Sequence, residues 1–188
     1  MSSNKRLAHC SKCSRLSFPS SRDFLITSAS PIGIRTSLPE ITQYVWSQGV
    51  HQSDITIPLK PHVTDFLDLL DARGLPYGIA TATYKSSAAA ALRRLGLDGR
   101  MRFVLTGEDV PGGKSRPDIY LQAAALLGTT PGETLVVEDA LHCVETARAA
   151  GFLTAGVYDA AVLPGEWLRM QKICTVTGED LRKIKEKL

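Results

Sequence analysis

Three short runs hold residue types that could do chemistry. Thr106-Gly107-Glu108-Asp109-Val110 leads into Gly113-Lys114-Ser115-Arg116-Pro117-Asp118, and Leu135-Val136-Val137-Glu138-Asp139-Ala140 follows. Lys114 stands at the mouth of an expected helix, and Glu138-Asp139 stand at the tip of an apolar strand. In an α/β sheet both positions fall at the carboxyl edge, where ligands bind. A cation and two carboxylates at one edge suit a phosphate and a divalent metal. The lysine balances phosphate charge, and the carboxylates hold Mg²⁺. The nucleophile such a site would need is not evident in these runs.

Each candidate also has a plainer reading. Thr81 ends an apolar strand, and its hydroxyl with the free N–H groups of the next helix could hold a phosphoryl oxygen. An isolated threonine there could equally cap a turn. Lys114 follows Gly112-Gly113, which let the backbone bend inward, and the helix start at Pro117 fixes its position. Glu138 and Asp139 follow apolar residues directly, and buried acids need partners, either a metal or a lysine such as Lys114. Asp139 could also cap a helix. Asp118 suits a helix N-terminus, and Glu108 and Asp109 are weaker candidates. His142 is more simply an exposed helix residue than a catalytic one.

The elements that must position these residues alternate along the chain. Pro61 opens a helix lined by Val63, Phe66, Leu67 and Leu70 and closed by Gly74. Strand Tyr77–Thr81 follows, then a helix capped by Ser86 or Ser87 and running through Leu95. Strand Arg102–Thr106 leads to a helix over Pro117–Leu127, and strand Thr134–Val137 to a helix near 141–150. Strand Leu153–Tyr158, a helix near 165–171, a short strand at Cys174–Val176 and a charged helix from Glu179 finish the series. Such alternation implies right-handed βαβ units. The expected fold is α/β, a Rossmann-like three-layer sandwich with a mainly parallel sheet.

The 188 residues suffice for one domain with a full core. Residues 1–36 carry six basic side chains against Asp23 alone, a balance of +5 that leaves −2 for the rest. The body is therefore mildly acidic, which argues against a nucleic-acid surface. No apolar run reaches the roughly 18 residues of a membrane span. Residues 1–36 read as a basic, serine-rich tail; cytoplasm is the default location, with organelle import through this stretch as the alternative. Cys10 and Cys13 form a C-x-x-C with no second knuckle, so a structural zinc lacks ligands. Cys143 and Cys174 read as reduced packing residues. Ser37-Leu38-Pro39-Glu40 has capping-box spacing and opens a helix over about 38–48.

These runs resemble the haloacid dehalogenase superfamily, in particular its β-phosphoglucomutase-like phosphatases, over about residues 58–188. Ile79-Ala80-Thr81-Ala82-Thr83 is similar to the second motif, which makes Thr81 and Ala82 phosphate-binding. Gly113-Lys114-Ser115-Arg116-Pro117-Asp118 is similar to the third, which makes Lys114 the catalytic partner of phosphate and nucleophile. Ser115 stands where the family usually has proline. Val137-Glu138-Asp139 is similar to the fourth, with Glu138 and Asp139 serving Mg²⁺. The resemblance implies a small phosphorylated metabolite, such as a sugar phosphate, as the substrate. It says nothing of oligomeric state.

The resemblance breaks at the first motif, an aspartate, any residue, then a second aspartate, at the end of the first strand. The family's first aspartate attacks phosphorus, and the second is general acid and base. The acids upstream of Thr81 are Asp23, Glu40, Asp54, Asp65, Asp68 and Asp71, and none stands in such a motif. That strand lies mid-sheet, and its loss would leave two buried edges unpaired. Phe24-Leu25-Ile26-Thr27 is the upstream candidate to fill the slot, which would put Ser28-Ala29-Ser30 where the aspartates belong. Residues 37–57 then read as the remnant of a helical cap that is largely missing. The expectation is a capped phosphatase with its first strand and most of its cap lost or replaced, weakly active or inactive. The alternative is a non-catalytic protein that binds a phosphometabolite or a partner.

Overall fold

A computed structural model describes residues 23–28, 59–160 and 162–187. The expected helix at 38–48, the cap remnant at 37–57, the cysteine pair and most of the basic tail lie outside the described residues. The strands are β1 (Asp23–Ser28), β2 (Tyr77–Thr81), β3 (Val104–Thr106), β4 (Thr134–Glu138), β5 (Leu153–Val157) and β6 (Val176–Gly178). The helices are α1 (Val63–Ala72), α2 (Lys85–Arg94), α3 (Asp118–Leu127), α4 (Leu141–Ala149), α5 (Pro164–Ile173) and α6 (Leu181–Lys185). Every described strand pairing is parallel, in the order β3-β2-β1-β4-β5-β6.

The slot between β2 and β4 is filled by Asp23–Ser28. Phe24 to Ser28 run in register with Tyr77 to Thr81, and Asp23 to Ile26 with Thr134 to Val137. This places Ser28 beside Thr81 at the carboxyl edge. Asp23 lies opposite Thr134, at the amino edge, a full strand length from that chemistry.

The sheet is buried on both faces, which explains why its strands read as continuous apolar runs rather than alternating ones. Successive side chains still go to opposite layers. Tyr77, Ile79, Leu135 and Val137 pack with Phe66, Leu67 and Leu70 of α1, Leu92 of α2 and Ile184 of α6. Ala80 and Val136 pack with Ile119, Tyr120 and Ala123 of α3 and Ala147 of α4. The result is a three-layer sandwich.

Local signals set the element ends. Gly128, at φ 82°, closes α3, with its N–H donating to the Ala125 carbonyl and the Thr129 N–H to the Ala124 carbonyl. This is the Schellman arrangement that glycine accommodates without a Cβ clash. Some ends differ from the sequence reading. Tyr84 is the extended residue before α2, so neither Ser86 nor Ser87 caps it. The last strand starts at Val176 rather than Cys174. Thr154 and Thr175 trade their backbone N–H groups for each other's hydroxyls, at 3.1 and 3.4 Å, before the ladder begins.

Gly78 in β2 faces Phe103 so closely that an added Cβ would lie 2.4 Å from the ring. Gly78→Ala should therefore destabilise the protein by about 1–3 kcal/mol, the usual cost of overpacking. Urea unfolding of Gly78→Ala, alone and with Phe103→Leu, checks this. The second change should restore part of the loss.

Candidate active site

Because the strands are parallel, their carboxyl ends bring Ser28, Thr81, Thr106 and Glu138 to one edge, with Asp139 next in line and Asp159 just beyond β5. Thr81 is buried, and its hydroxyl accepts a hydrogen bond from the Thr83 N–H at 3.1 Å. This bond folds the chain over at the exposed Ala82, so Thr81 caps a turn at the carboxyl edge.

Lys114 arrives from the loop after β3. Gly112 and Gly113 both have positive φ, 90° and 51°, and a Cβ on Gly112 would meet the Arg116 side chain at 2.6 Å. Two consecutive left-handed residues make the turn that sends Lys114 inward, on a short 3-10 turn packed against β2, α3 and α4. Its side chain is only 3% exposed, and Nζ lies 2.6 Å from Glu138 Oε1. The contact is a close ion pair, and Nζ has no further acceptor among the described residues. An ammonium buried to this degree with donors to spare is set to receive a further anion.

Glu138 is wholly buried beneath the edge. The Asp139 N–H donates to its Oε2 at 3.3 Å, and the Tyr120 hydroxyl reaches Oε1 at 3.4 Å. Burial, reinforced by the Glu138 charge, pushes the Tyr120 phenol well above its ordinary range. The same two causes push the Cys143 thiol up to about 12. Cys143 is therefore a neutral packing group and not a nucleophile.

Asp139 lies one residue before Ala140, the extended N-cap residue of α4. The Asp139 Oδ2 accepts from Lys60 Nζ at 2.6 Å, and the same ammonium lies 2.7 Å from Asp159 Oδ2. Burial pulls the Lys60 pKa down, but the charges and hydrogen bonds of Asp139 and Asp159 outweigh it, so the net shift is upward. The two acids expected to act as one pair thus divide between two lysines, Glu138 with Lys114 and Asp139 with Lys60. Sequence reasoning missed Lys60, which lies 79 residues from Asp139 in an unremarkable stretch.

The remaining candidates sit aside from this cluster. The Asp109 carboxylate accepts from the Thr106 N–H at 2.9 Å, the Thr106 hydroxyl at 2.7 Å and Lys85 at 2.9 Å, so it braces the loop that leads to Lys114. Lys85, and then Thr106, hold its pKa down to about 2. Because the folded pKa is depressed, this brace contributes fully above the ordinary carboxylate range and is lost as pH falls toward 2. Asp109→Asn should lower the thermal midpoint at pH 7 and leave it nearly unchanged close to pH 2, as calorimetric scans at both pH values would read. Asp118 pairs with Arg116 at 2.9 Å, and His142 is exposed on α4 beside Cys143.

The family model for haloacid dehalogenase-like hydrolases matches residues 37–151, more than half of the chain. The chain belongs to the haloacid dehalogenase-like hydrolases. Phosphoglycolate phosphatase of Escherichia coli K12 is 35% identical over 99 residues, which are 53% of this chain and 39% of that protein. Pyrophosphatase PpaX of Bacillus pumilus is 32% identical over 106 residues, 56% of this chain and 49% of that protein. The match thus spans less than half the length of either curated relative. Among solved structures, a provisionally assigned β-phosphoglucomutase from Thermotoga maritima superposes with a TM-score of 0.71 at 20% identity, covering 88% of this chain and all of that one. At that identity the likeness establishes the α/β fold.

Members of such a hydrolase family that handle phosphate generally use Mg²⁺, and the donor chemistry at this edge suits that ion. Asp139 and Asp159 already converge on one positive charge, and their donors are all oxygen. Mg²⁺ takes one or two carboxylates with substrate phosphate and keeps several waters. Among the described residues no group of three His, Cys, Asp or Glu comes together. No helix among the described residues is long and apolar enough to cross a membrane.

Proposed function

We propose that this haloacid dehalogenase-like chain binds a small phosphorylated metabolite, such as a sugar phosphate, at the carboxyl edge of its sheet as a phosphohydrolase of weak or no turnover. Lys114 carries the reading: it is a buried ammonium with unsatisfied donors, delivered to the edge by a glycine-built turn. In this reading Thr81, the backbone at Ala82 and Lys114 take the phosphoryl oxygens, through charge-assisted hydrogen bonds in a site of low dielectric. Glu138 fixes Lys114 and balances its charge. Asp139, with Glu138 beneath it, forms the acidic side that would serve Mg²⁺. When bound, that ion would neutralise phosphoryl charge.

The weak turnover follows from Ser28. In the register of β1 it stands beside Thr81, and the resemblance would put the family's attacking aspartate at this strand end. A serine without a positioned base is a poor nucleophile, and losing the nucleophile of a covalent mechanism costs about 10⁴-fold or more. The same observation favours a second reading, a phosphometabolite-binding protein with no hydrolysis at all. The relatives act on phosphoglycolate and pyrophosphate by name, so both belong in the panel of ligands.

Hydrolysis of p-nitrophenyl phosphate, phosphoglycolate and pyrophosphate, each with and without Mg²⁺, tests the turnover. Release near the uncatalysed background supports the proposal. Robust release that disappears in Asp139→Asn would reveal an attacking group other than an aspartate at the end of β1, and would overturn weak turnover.

A further inference from the structure

Lys60 has the surroundings of a bound cation. Its side chain is 10% exposed, and the two carboxylates it touches, Asp139 at 2.6 Å and Asp159 at 2.7 Å, are 8% and 11% exposed. They come from the ends of two adjacent strands, β4 and β5, and meet at a single Nζ atom. Two carboxylates brought this close in a half-dry site repel each other unless a positive charge stands between them. The chain supplies that charge itself. It does so from a fixed backbone: Lys60 precedes Pro61, whose ring locks φ, and His62 follows in the left-handed region at φ 64° before α1 begins.

We propose that Lys60 is the resident cation of the acidic site, and that a divalent ion enters only by displacing its ammonium from Asp139 and Asp159. This rests on reading the carboxyl edge as a metal-assisted phosphoryl site, and it adds a competitor inside the chain. Divalent-ion affinity is then set by the exchange of one cation for another. A metal-free protein keeps its acidic pair neutralised and folded.

The test reads metal binding, without phosphate or turnover, so it stands apart from the phosphoryl reading. Mn²⁺ is titrated into the full chain by calorimetry, for the unsubstituted protein, Lys60→Met and Lys60→Arg. Removing a unit charge in contact with the same oxygens should tighten Mn²⁺ binding about tenfold or more in Lys60→Met. Lys60→Arg, which keeps the charge, should stay close to the unsubstituted protein. Asp139→Asn added to Lys60→Met should erase the gain. Equal or weaker binding by a folded Lys60→Met, or no binding by either protein, overturns the proposal.

A second measurement covers the case in which Lys60→Met does not fold. Acetylation of the unsubstituted protein is mapped by mass spectrometry with and without saturating Mg²⁺. Displacement should raise the reactivity of Lys60 several-fold while Lys172, an exposed lysine on α5, stays unchanged. Lys60 reactivity that ignores Mg²⁺ overturns the proposal.

Discussion

Lys114→Met is expected to destabilise the protein by about 3–5 kcal/mol and to weaken phosphate binding about a hundredfold. The stability loss comes from Glu138. Its carboxylate is wholly buried, and its charge is balanced by Lys114 at 2.6 Å. Removing the cation leaves a buried charge with, among the described residues, the Asp139 N–H and the distant Tyr120 hydroxyl to stabilise it. Lys114→Met combined with Glu138→Gln should regain most of that stability, since the stranded charge goes as well. It should not regain phosphate binding, which depends on the ammonium itself. Urea unfolding and phosphate titration of the single and double variants separate the two roles. If the double variant bound phosphate as the unsubstituted protein does, Lys114 would be a structural lysine only.

Ser28→Asp with Ser30→Asp should raise hydrolysis of p-nitrophenyl phosphate in Mg²⁺ by about 10³-fold or more. The first change places a carboxylate at the end of β1, in register with Thr81. The second follows the spacing of the family's general acid and base. Added negative charge at the carboxyl edge carries a repulsive cost, which Lys60 and Lys114 offset. The gain should vanish when Lys114→Met/Glu138→Gln is added. Failure of the folded double aspartate variant to gain activity would mean that Ser28 does not stand where the reacting phosphorus binds.

Most of the sheet could be read from the chain because its signals are local. Leu135-Val136-Val137 is apolar without a break because both faces of β4 are covered, and Gly128 ends α3 because only glycine adopts its backbone readily. The strand at Phe24–Thr27 was legible as a short apolar run, and the unpaired edges its absence would leave explain why it lies mid-sheet. What could not be read was pairing over distance. Nothing near Lys60 announces Asp139 or Asp159, since the three meet only once β4 and β5 lie side by side. The natural pairing of Lys114 with the acidic run was visible, but not that Glu138 would be the acid 2.6 Å from it. The strand expected at Cys174 starts later because Thr154 and Thr175 satisfy each other through their hydroxyls, a cross-strand exchange that no run of residue types encodes.

The most direct test of the central claim is a calorimetric titration of the unsubstituted protein with inorganic phosphate and with phosphoglycolate, in parallel with Thr81→Val. Saturable one-to-one binding, weakened about tenfold when the Thr81 hydroxyl is removed, is the result expected of a phosphoryl site at this edge. A well-folded protein that takes up neither ligand, or that binds them equally well without the Thr81 hydroxyl, would contradict it.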